Sequence, residues 1–239
     1  MSPDRLHELL KEFRQRSEAR FAEEDDRHTV TAPIYHYTGP AGLPILDTNS
    51  IWLTDYRRAK DQYEVEYVVD IAREVLRGFA SSPDRLRANF AKACLQTIDR
   101  AIANYRYLTA SFCRSPDDVN LWDRYAAGGT GIALGLSEHQ FTYGPLPANP
   151  VQQILVRHMR YSETELRERL AEIIHSAMDI LSPQILRGND ESCIAKYITF
   201  LGVTTNIDML MLAMQYKQDG YIGEQETRIA CFKPMSEIA

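Results

Sequence analysis

Hydrophobic residues recur at intervals of three and four positions along five stretches of the chain, which is the spacing of one face of an α-helix. The segment Ser162-Glu-Thr-Glu165 has the form of a capping box and marks the start of the fourth helix. Two shorter helices are expected around Leu43–Leu46 and Leu121–Tyr125. The five long predicted helices run from Pro3 to about Glu23, Asp61 to Phe79, just after Pro83 to about Tyr105, Ser162 to Leu181, and Ser192 to Tyr216.

Six short stretches are β-prone, either because they are rich in β-branched and aromatic residues or because polar and apolar positions alternate. Helices and strands do not alternate regularly along the chain. The order therefore predicts an α+β fold with mainly antiparallel pairing, not a doubly wound parallel sheet. The predicted strands are Ile34–Tyr37, Ile51–Thr54, Tyr107–Cys113, Ile132–Leu136, Gln153–Met159 and Glu226–Phe232.

The length of 239 residues suits one large domain, which can bury enough surface to need no disulfide or metal for stability. We predict a single domain over 1–239. Within it we expect an N-terminal helix, a first pair of strands, a helical insertion, and a second half of the sheet with further helices. These parts correspond to residues 1–28, 32–58, 60–106 and 107–239.

The charge balance argues against a protein that attracts nucleic acid over its whole surface. The chain has 27 Lys and Arg against 33 Asp and Glu, a formal net charge of -6. A local basic groove stays compatible with that balance.

The cysteines and histidines predict neither a disulfide framework nor a metal site. The four cysteines are far apart, and no histidine has a His or Cys at i+3 or i+4. The first residues are charged, unlike a signal peptide, and no apolar run reaches the roughly 18 residues of a membrane span. We therefore expect a cytoplasmic protein that does not enter the membrane.

Two motifs have ordinary structural explanations that we favour over functional ones. Gly128-Gly-Thr-Gly131 resembles a phosphate-binding loop, but it leads into a strand and lacks the following Lys and Ser or Thr, so a plain turn is expected. Cys113 and His36 would be a nucleophile and base if they met, but isolated cysteines are mostly small buried hydrophobic residues.

Two segments carry candidate chemistry. Strand alternation places His36 and Thr38 on one side of the first strand, with Tyr35 and Tyr37 on the other. Near the C-terminus, Glu224 and Glu226 are expected on one face at strand spacing, with Arg228 beyond them. Taken separately, a strand histidine is more often a structural hydrogen-bonding group, and alternating charges more often mark a solvated edge strand.

Together, these segments and those between them resemble a known family. Tyr35-His36-Tyr37-Thr38, the short helix and the second strand resemble the first motif of ADP-ribosyltransferases of the His-Tyr-Glu type, and Glu224-Gln-Glu226 resembles their Glu-x-Glu. With Ser111-Phe-Cys, Leu121-Trp122, Tyr125 and Gly131-Ile-Ala-Leu-Gly, the whole string from Pro33 to Phe232 is similar to the bacterial domain-of-unknown-function family 2971, which is described as abortive-infection-like.

The resemblance implies an ADP-ribosyltransferase-like split antiparallel β core and an enzyme that consumes NAD as a substrate without a metal. The predicted catalytic residues are Glu226 near the nicotinamide ribose, Glu224 as a proton acceptor, and His36, which the resemblance places on the adenosine ribose. Tyr56 is our choice for stacking on nicotinamide, with Tyr125 in reserve. The predicted NAD-binding residues are His36, Tyr37, Thr38, Tyr56, Arg57, Ser111, Arg114, Trp122 and Tyr125.

Three functions stay open at this point. The first is a mono-ADP-ribosyltransferase or NAD glycohydrolase, acting as a toxin or phage-defence effector on a protein, nucleic acid or small-molecule acceptor. The second is an RNA-end-processing enzyme of related fold, which would need two histidines and two arginines in its site. The third is a non-catalytic domain that binds a nucleotide or a protein on the same scaffold.

Overall fold

A computed structural model of the chain describes residues 3–23, 30–48, 50–58, 63–137, 154–181 and 191–234. All five long helices predicted from hydrophobic periodicity are present within a few residues of the expected bounds. The side chains of Asp84, Asp118 and Ser162 accept backbone hydrogen bonds at the starts of three helices, as N-cap residues do. The helices are α1 Pro3–Glu23, α2 Pro44–Thr48, α3 Tyr63–Ala80, α4 Arg85–Asn104, α5 Val119–Tyr125, α6 Glu163–Ile180 and α7 Glu191–Met211.

The described strands form one six-stranded sheet in the order β4-β1-β3-β6-β5, with β2 also paired to β3. The pairs β1–β3, β1–β4, β2–β3 and β5–β6 are antiparallel, so the α+β class with an antiparallel sheet is confirmed. The finer expectation of an ADP-ribosyltransferase-like core stays a prediction. The strands are β1 Ile34–Thr38, β2 Thr54–Asp55, β3 Tyr105–Cys113, β4 Ile132–Leu136, β5 Ile154–His158 and β6 Glu226–Pro234.

Strand β2, Thr54–Asp55, is shorter than the predicted strand Ile51–Thr54 and begins three residues later in the chain. The edge of β3 near Cys113 is occupied by β1, which pairs there through Tyr35. β2 is therefore paired further back along β3, where Thr54 and Asp55 lie opposite Thr109 and Leu108. Competition between two strands for one edge is a tertiary effect that the local sequence does not reveal.

The chain divides into two compact units, each assembled from three separate stretches. The helical unit contains 1–23, 63–105 and 162–216, and the sheet unit contains 24–62, 106–161 and 217–239. The predicted insertion, 60–106, follows β2 and precedes most of β3 in the chain, and its helices α3 and α4 belong to the helical unit.

Helix α7 is the most apolar part of the helical unit. The stretch Ile194–Met214 is long and apolar enough to cross a membrane by length and composition, but 72% of its apolar 18-residue window is buried, as in a core helix. The α4–α7 contact is close, because a Cβ on Gly202 would lie 3.3 Å from the backbone nitrogen of Cys94. Asn206 of α7 adds a buried hydrogen bond to the Cys94 carbonyl at 2.9 Å.

The sheet of the other unit has two chemically different faces. On the apolar face, Ile34, Phe112 and Val156 form a buried cluster that Ile229 of β6 joins. Because side chains alternate along a strand, Tyr37, Tyr107, Ser111, Glu226 and Arg228 lie on the opposite side, which we call the site face.

Gly131 is the residue at which the turn before β4 meets β1. A Cβ there would overlap the carbonyl oxygen of Thr38 and lie 2.8 Å from that of Ala126, and neither is a flexible group. The preceding Gly128 and Gly129 have positive φ, so the segment is a turn that leads into β4, as expected.

We expect Gly131→Ala to lower the free energy of unfolding by about 1–3 kcal/mol, because the added methyl group forces β1 and the turn apart. Urea denaturation measures this. Gly78→Ala in α3 is the control, since a Cβ there meets nothing within 4 Å. Alanine is the better helix former, so Gly78→Ala should raise stability by up to about 1 kcal/mol. Equal effects from the two variants would contradict the steric argument.

Candidate functional site

Glu224 and Glu226 flank a residue in a left-handed backbone conformation. Glu224 ends the 3-10 helix Asp219–Glu224, Gln225 has φ 44° and ψ 46°, and Glu226 opens β6. The expectation that both acids share a face at strand spacing is therefore wrong, because the chain turns between them. The two carboxylates nevertheless converge, through that turn and a shared cation.

The shared cation is Lys217, a side chain only 4% exposed. Its Nζ donates to Glu224 Oε2 at 2.7 Å and to Glu226 Oε2 at 3.0 Å. Arg228 forms a bidentate pair with Glu226, donating from Nε to Oε1 at 2.5 Å and from Nη2 to Oε2 at 3.0 Å. Two adjacent cations thus hold the Glu226 carboxylate from two directions.

Glu226 stays ionised in this environment. Burial by itself would raise its pKa, but the charges of Arg228 and Lys217 outweigh burial, with a further contribution from the Arg228 hydrogen bonds and the Ser111 side chain, and lower the pKa to about 2. The carboxylate is therefore an anion at any physiological pH.

Tyrosine side chains surround the acid pair. Tyr125 of α5 donates its hydroxyl to Glu224 Oε1 at 3.1 Å, and burial, followed by the Glu224 charge, raises the pKa of Tyr125 to about 12. The Tyr161 hydroxyl accepts from the Glu226 backbone N–H at 3.1 Å, and the Tyr107 hydroxyl accepts from Arg228 Nη1 at 3.3 Å. The hydroxyl groups thus fix the backbone and side chains at the start of β6.

The structure places four of the predicted site residues in one cluster: Glu224, Glu226, Ser111 and Tyr125. The Ser111 side chain hydrogen-bonds to Glu226 from the neighbouring strand β3. Ser111 itself is exposed, so the cluster borders on solvent at that strand. This is the largest group of predicted residues that the fold brings together.

His36 lies on the other face of the sheet. Its ring contacts Phe112 of the apolar face, with centroids 5.5 Å apart, whereas Glu226 contacts the Ser111 side of β3. The His36 Nδ1 donates to the Ser111 carbonyl at 2.8 Å, which puts the proton of the neutral ring on Nδ1. Burial lowers the pKa of His36, and the hydrogen bond to Ser111 offsets this in part.

Tyr37, Thr38 and Trp122 make structural contacts. The Tyr37 hydroxyl donates to the Ser115 carbonyl and accepts from the Asp118 N–H, both at 3.0 Å, and thereby anchors the start of α5. The Trp122 ring meets Tyr37 edge-on at 5.1 Å. The Thr38 side chain packs against Gly42, where a Cβ would overlap it.

Tyr56 has little ring surface left for stacking. It is 6% exposed, its centroid lies 6.2 Å from that of Tyr107, and the Arg57 guanidinium lies 5.6 Å from its ring centre. Tyr125 is 37% exposed and is thus the better placed of the two predicted stacking residues. Arg114 follows β3 and is exposed.

The sequence reasoning did not identify Lys217, Tyr107 or Tyr161 as site residues. The sequence gives little indication of their role, because a single lysine or tyrosine among both polar and apolar neighbours can be either buried or exposed. In the described part of the chain, no three His, Cys, Asp or Glu side chains are grouped so that they could hold a metal ion.

Comparisons of the chain with protein-family models, with curated proteins and with solved structures found no match. The resemblance to ADP-ribosyltransferases therefore rests on the residues of this chain alone.

Proposed function

We propose that the protein is an NAD-consuming enzyme of the ADP-ribosyltransferase type, acting as a transferase or as an NAD glycohydrolase on an ADP-ribosyltransferase-like core. One observation carries the proposal: the two acids of Glu224-Gln-Glu226 meet Ser111 and Tyr125 in a single cluster that borders on solvent. The proposal does not use His36 as a catalytic group, because that side chain lies on the opposite face.

The proposed chemistry is cleavage of the bond between nicotinamide and ribose. Nicotinamide leaves with the bonding electron pair, and positive charge develops at the ribose carbon. The permanently ionised Glu226 stabilises that charge, which is the electrostatic role that such a reaction needs. Water or an acceptor hydroxyl then attacks the same carbon and releases its proton, which Glu224 accepts. Tyr125 offers a ring face for stacking on the nicotinamide.

The test is nicotinamide release from NAD by the wild type and by Glu226→Gln and Glu224→Gln. Glu226→Gln should lower kcat by about 100–1000-fold, the scale of a lost electrostatic stabiliser. Because that variant also disturbs a buried ion pair, Glu224→Gln is the second variant; it keeps the Arg228–Glu226 pair. Glu172→Gln, in an exposed pair on α6, is the matched control and should retain wild-type turnover.

Release that depends on added cell extract would identify a macromolecular acceptor, as expected for a toxin or phage-defence effector. Release without extract would favour the glycohydrolase. Absence of release with and without extract, together with no NAD binding by calorimetry, would refute the proposal.

The second candidate function is a binding domain without catalysis. The bidentate Arg228–Glu226 pair favours it, because an acid already neutralised by two cations resembles a structural ion pair. If this candidate is right, neither the wild type nor Glu224→Gln releases nicotinamide from NAD. The two proteins should nevertheless differ in their affinity for the ligand that the domain binds.

A further inference from the structure

The charged group of Lys217 bonds to both acids of the pair. A lysine that is almost fully buried is uncommon unless it is paired. Because Glu224 Oε2 and Glu226 Oε2 lie 2.7 Å and 3.0 Å from the same nitrogen, they are less than about 6 Å apart. Two carboxylates at that distance repel each other unless a cation lies between them.

Lys217 also organises the segment that carries the acids. Its backbone N–H donates to the Arg160 carbonyl at 3.0 Å, which ties the segment to the residues after β5. Its ammonium lies 4.4 Å from the ring centre of Tyr221, in the middle of the segment, and bonds to Glu224 at the end. The chain from 217 to 224 thus folds around this one side chain.

Two arginines also bond to the pair. Arg228 bonds to both oxygens of Glu226, and Arg124, which is 58% exposed, is 3.4 Å from Glu224. Tyr125 and Tyr161 are the titratable hydroxyls against the pair, and Arg157 lies opposite Arg228 in the β5–β6 register. Lys217 is the bridge that these contacts show between the two acids.

We propose that Lys217 is a positioning residue, which holds the carboxylates of Glu224 and Glu226 at a fixed spacing for the reaction. This inference rests on the proposed function for its catalytic consequence. Its structural content, that one ammonium bridges the two carboxylates, stands on the contacts of the protein without ligand.

The test compares Lys217→Met and Lys217→Arg with the wild type, with Lys196→Met at an exposed position of α7 as the matched control. The first readout is the carboxyl ¹³C titration of the ligand-free protein by NMR. In Lys217→Met, one acid of the pair should titrate at least about one pH unit higher, because the like charges are no longer separated by a cation. Lys217→Arg keeps a cation beside the pair and should leave this titration as it is in the wild type.

The second readout is the pH profile of NAD cleavage. Lys217→Met should lower kcat by about 10–100-fold and move the acidic limb of the profile upward, with the KM for NAD nearly unchanged. Lys217→Arg should keep the wild-type limb, with a lower kcat because a planar guanidinium cannot occupy the place of a compact ammonium. If Lys217 only stabilised the fold, its replacement would not shift the acidic limb of the pH profile.

An unchanged titration in Lys217→Met overturns the inference. If Lys217→Met does not fold, the charge-preserving variant Lys217→Arg decides. Titration of the pair at a higher pH than in the wild type overturns the inference. Titration at the wild-type pH, together with a lowered kcat, supports it. If the wild type cleaves no NAD, the proposed function fails, and the titration of the ligand-free variants still decides whether Lys217 controls the pair.

Discussion

Replacing Arg228 by Met should lower the free energy of unfolding by about 3–5 kcal/mol, because a buried carboxylate loses its bidentate partner. Arg228 is 1% exposed and supplies two of the hydrogen bonds that Glu226 accepts. In the variant, Lys217 and the Ser111 side chain remain to offset the cost of keeping Glu226 ionised away from water. Urea denaturation at pH 7, followed by near-ultraviolet circular dichroism, measures the change.

The matched control is Arg14→Met, which breaks the solvent-exposed Arg14–Glu18 pair on α1. Exposed pairs contribute only about 0–1 kcal/mol, so this variant should be close to the wild type. A double replacement, Arg228→Met with Glu226→Leu, should recover much of the loss, since it removes both buried charges. A loss below about 1 kcal/mol in Arg228→Met would mean that Glu226 does not need this partner.

Between about pH 4 and pH 7 the helical unit should become less stable as the pH rises, because of Asp208. This side chain of α7 is buried, its Oδ1 accepts from Ser17 Oγ at 2.7 Å, and Arg20 Nη1 is 3.8 Å from its Oδ2, beyond hydrogen-bond distance. Burial raises the pKa of Asp208 to about 7, although Ser17 and Arg20 act in the opposite direction.

The sign follows from proton binding. An unfolded chain releases the proton of an aspartic acid near pH 4, whereas folded Asp208 keeps it until about pH 7, so the folded state binds more protons between these values. The free energy of unfolding therefore falls by up to about 1.4 kcal/mol per pH unit in that window.

Asp208→Asn should flatten this dependence and be more stable than the wild type at pH 8, by on the order of 1–3 kcal/mol. Asparagine keeps an acceptor for Ser17 and carries no charge. Urea denaturation at several pH values from 4 to 8 measures both effects, with Asp179→Asn at an exposed position of α6 as the control. Equal pH dependence in Asp208→Asn and the wild type would show that Asp208 is already ionised in the folded protein.

The helices were predictable because their signals are local. Apolar residues at helical spacing and an N-cap side chain act within one or two turns, and the Ser162 cap forms as the sequence suggests. The position of β2 was not predictable, because β1 competes with it for the same edge of β3.

The candidate site was predictable in residue type but not in arrangement. Glu224 and Glu226 were identified as an acid pair from their spacing, yet their convergence depends on the left-handed Gln225 and on Lys217. Strand alternation correctly assigned His36 and Tyr37 to opposite sides of β1. It gave no information on which of these sides Glu226 would share.

The sequence by itself determined the helices, most of the strands, the antiparallel α+β class and the identity of the two acids, because these depend on periodicity and on residues close together in the chain. Only the tertiary structure decided that Glu226 faces Ser111 and not His36, and that Lys217 is buried between two carboxylates. These outcomes depend on strand register and on contacts between distant segments. The residues that make those contacts are far apart in the sequence, so no local pattern reveals them.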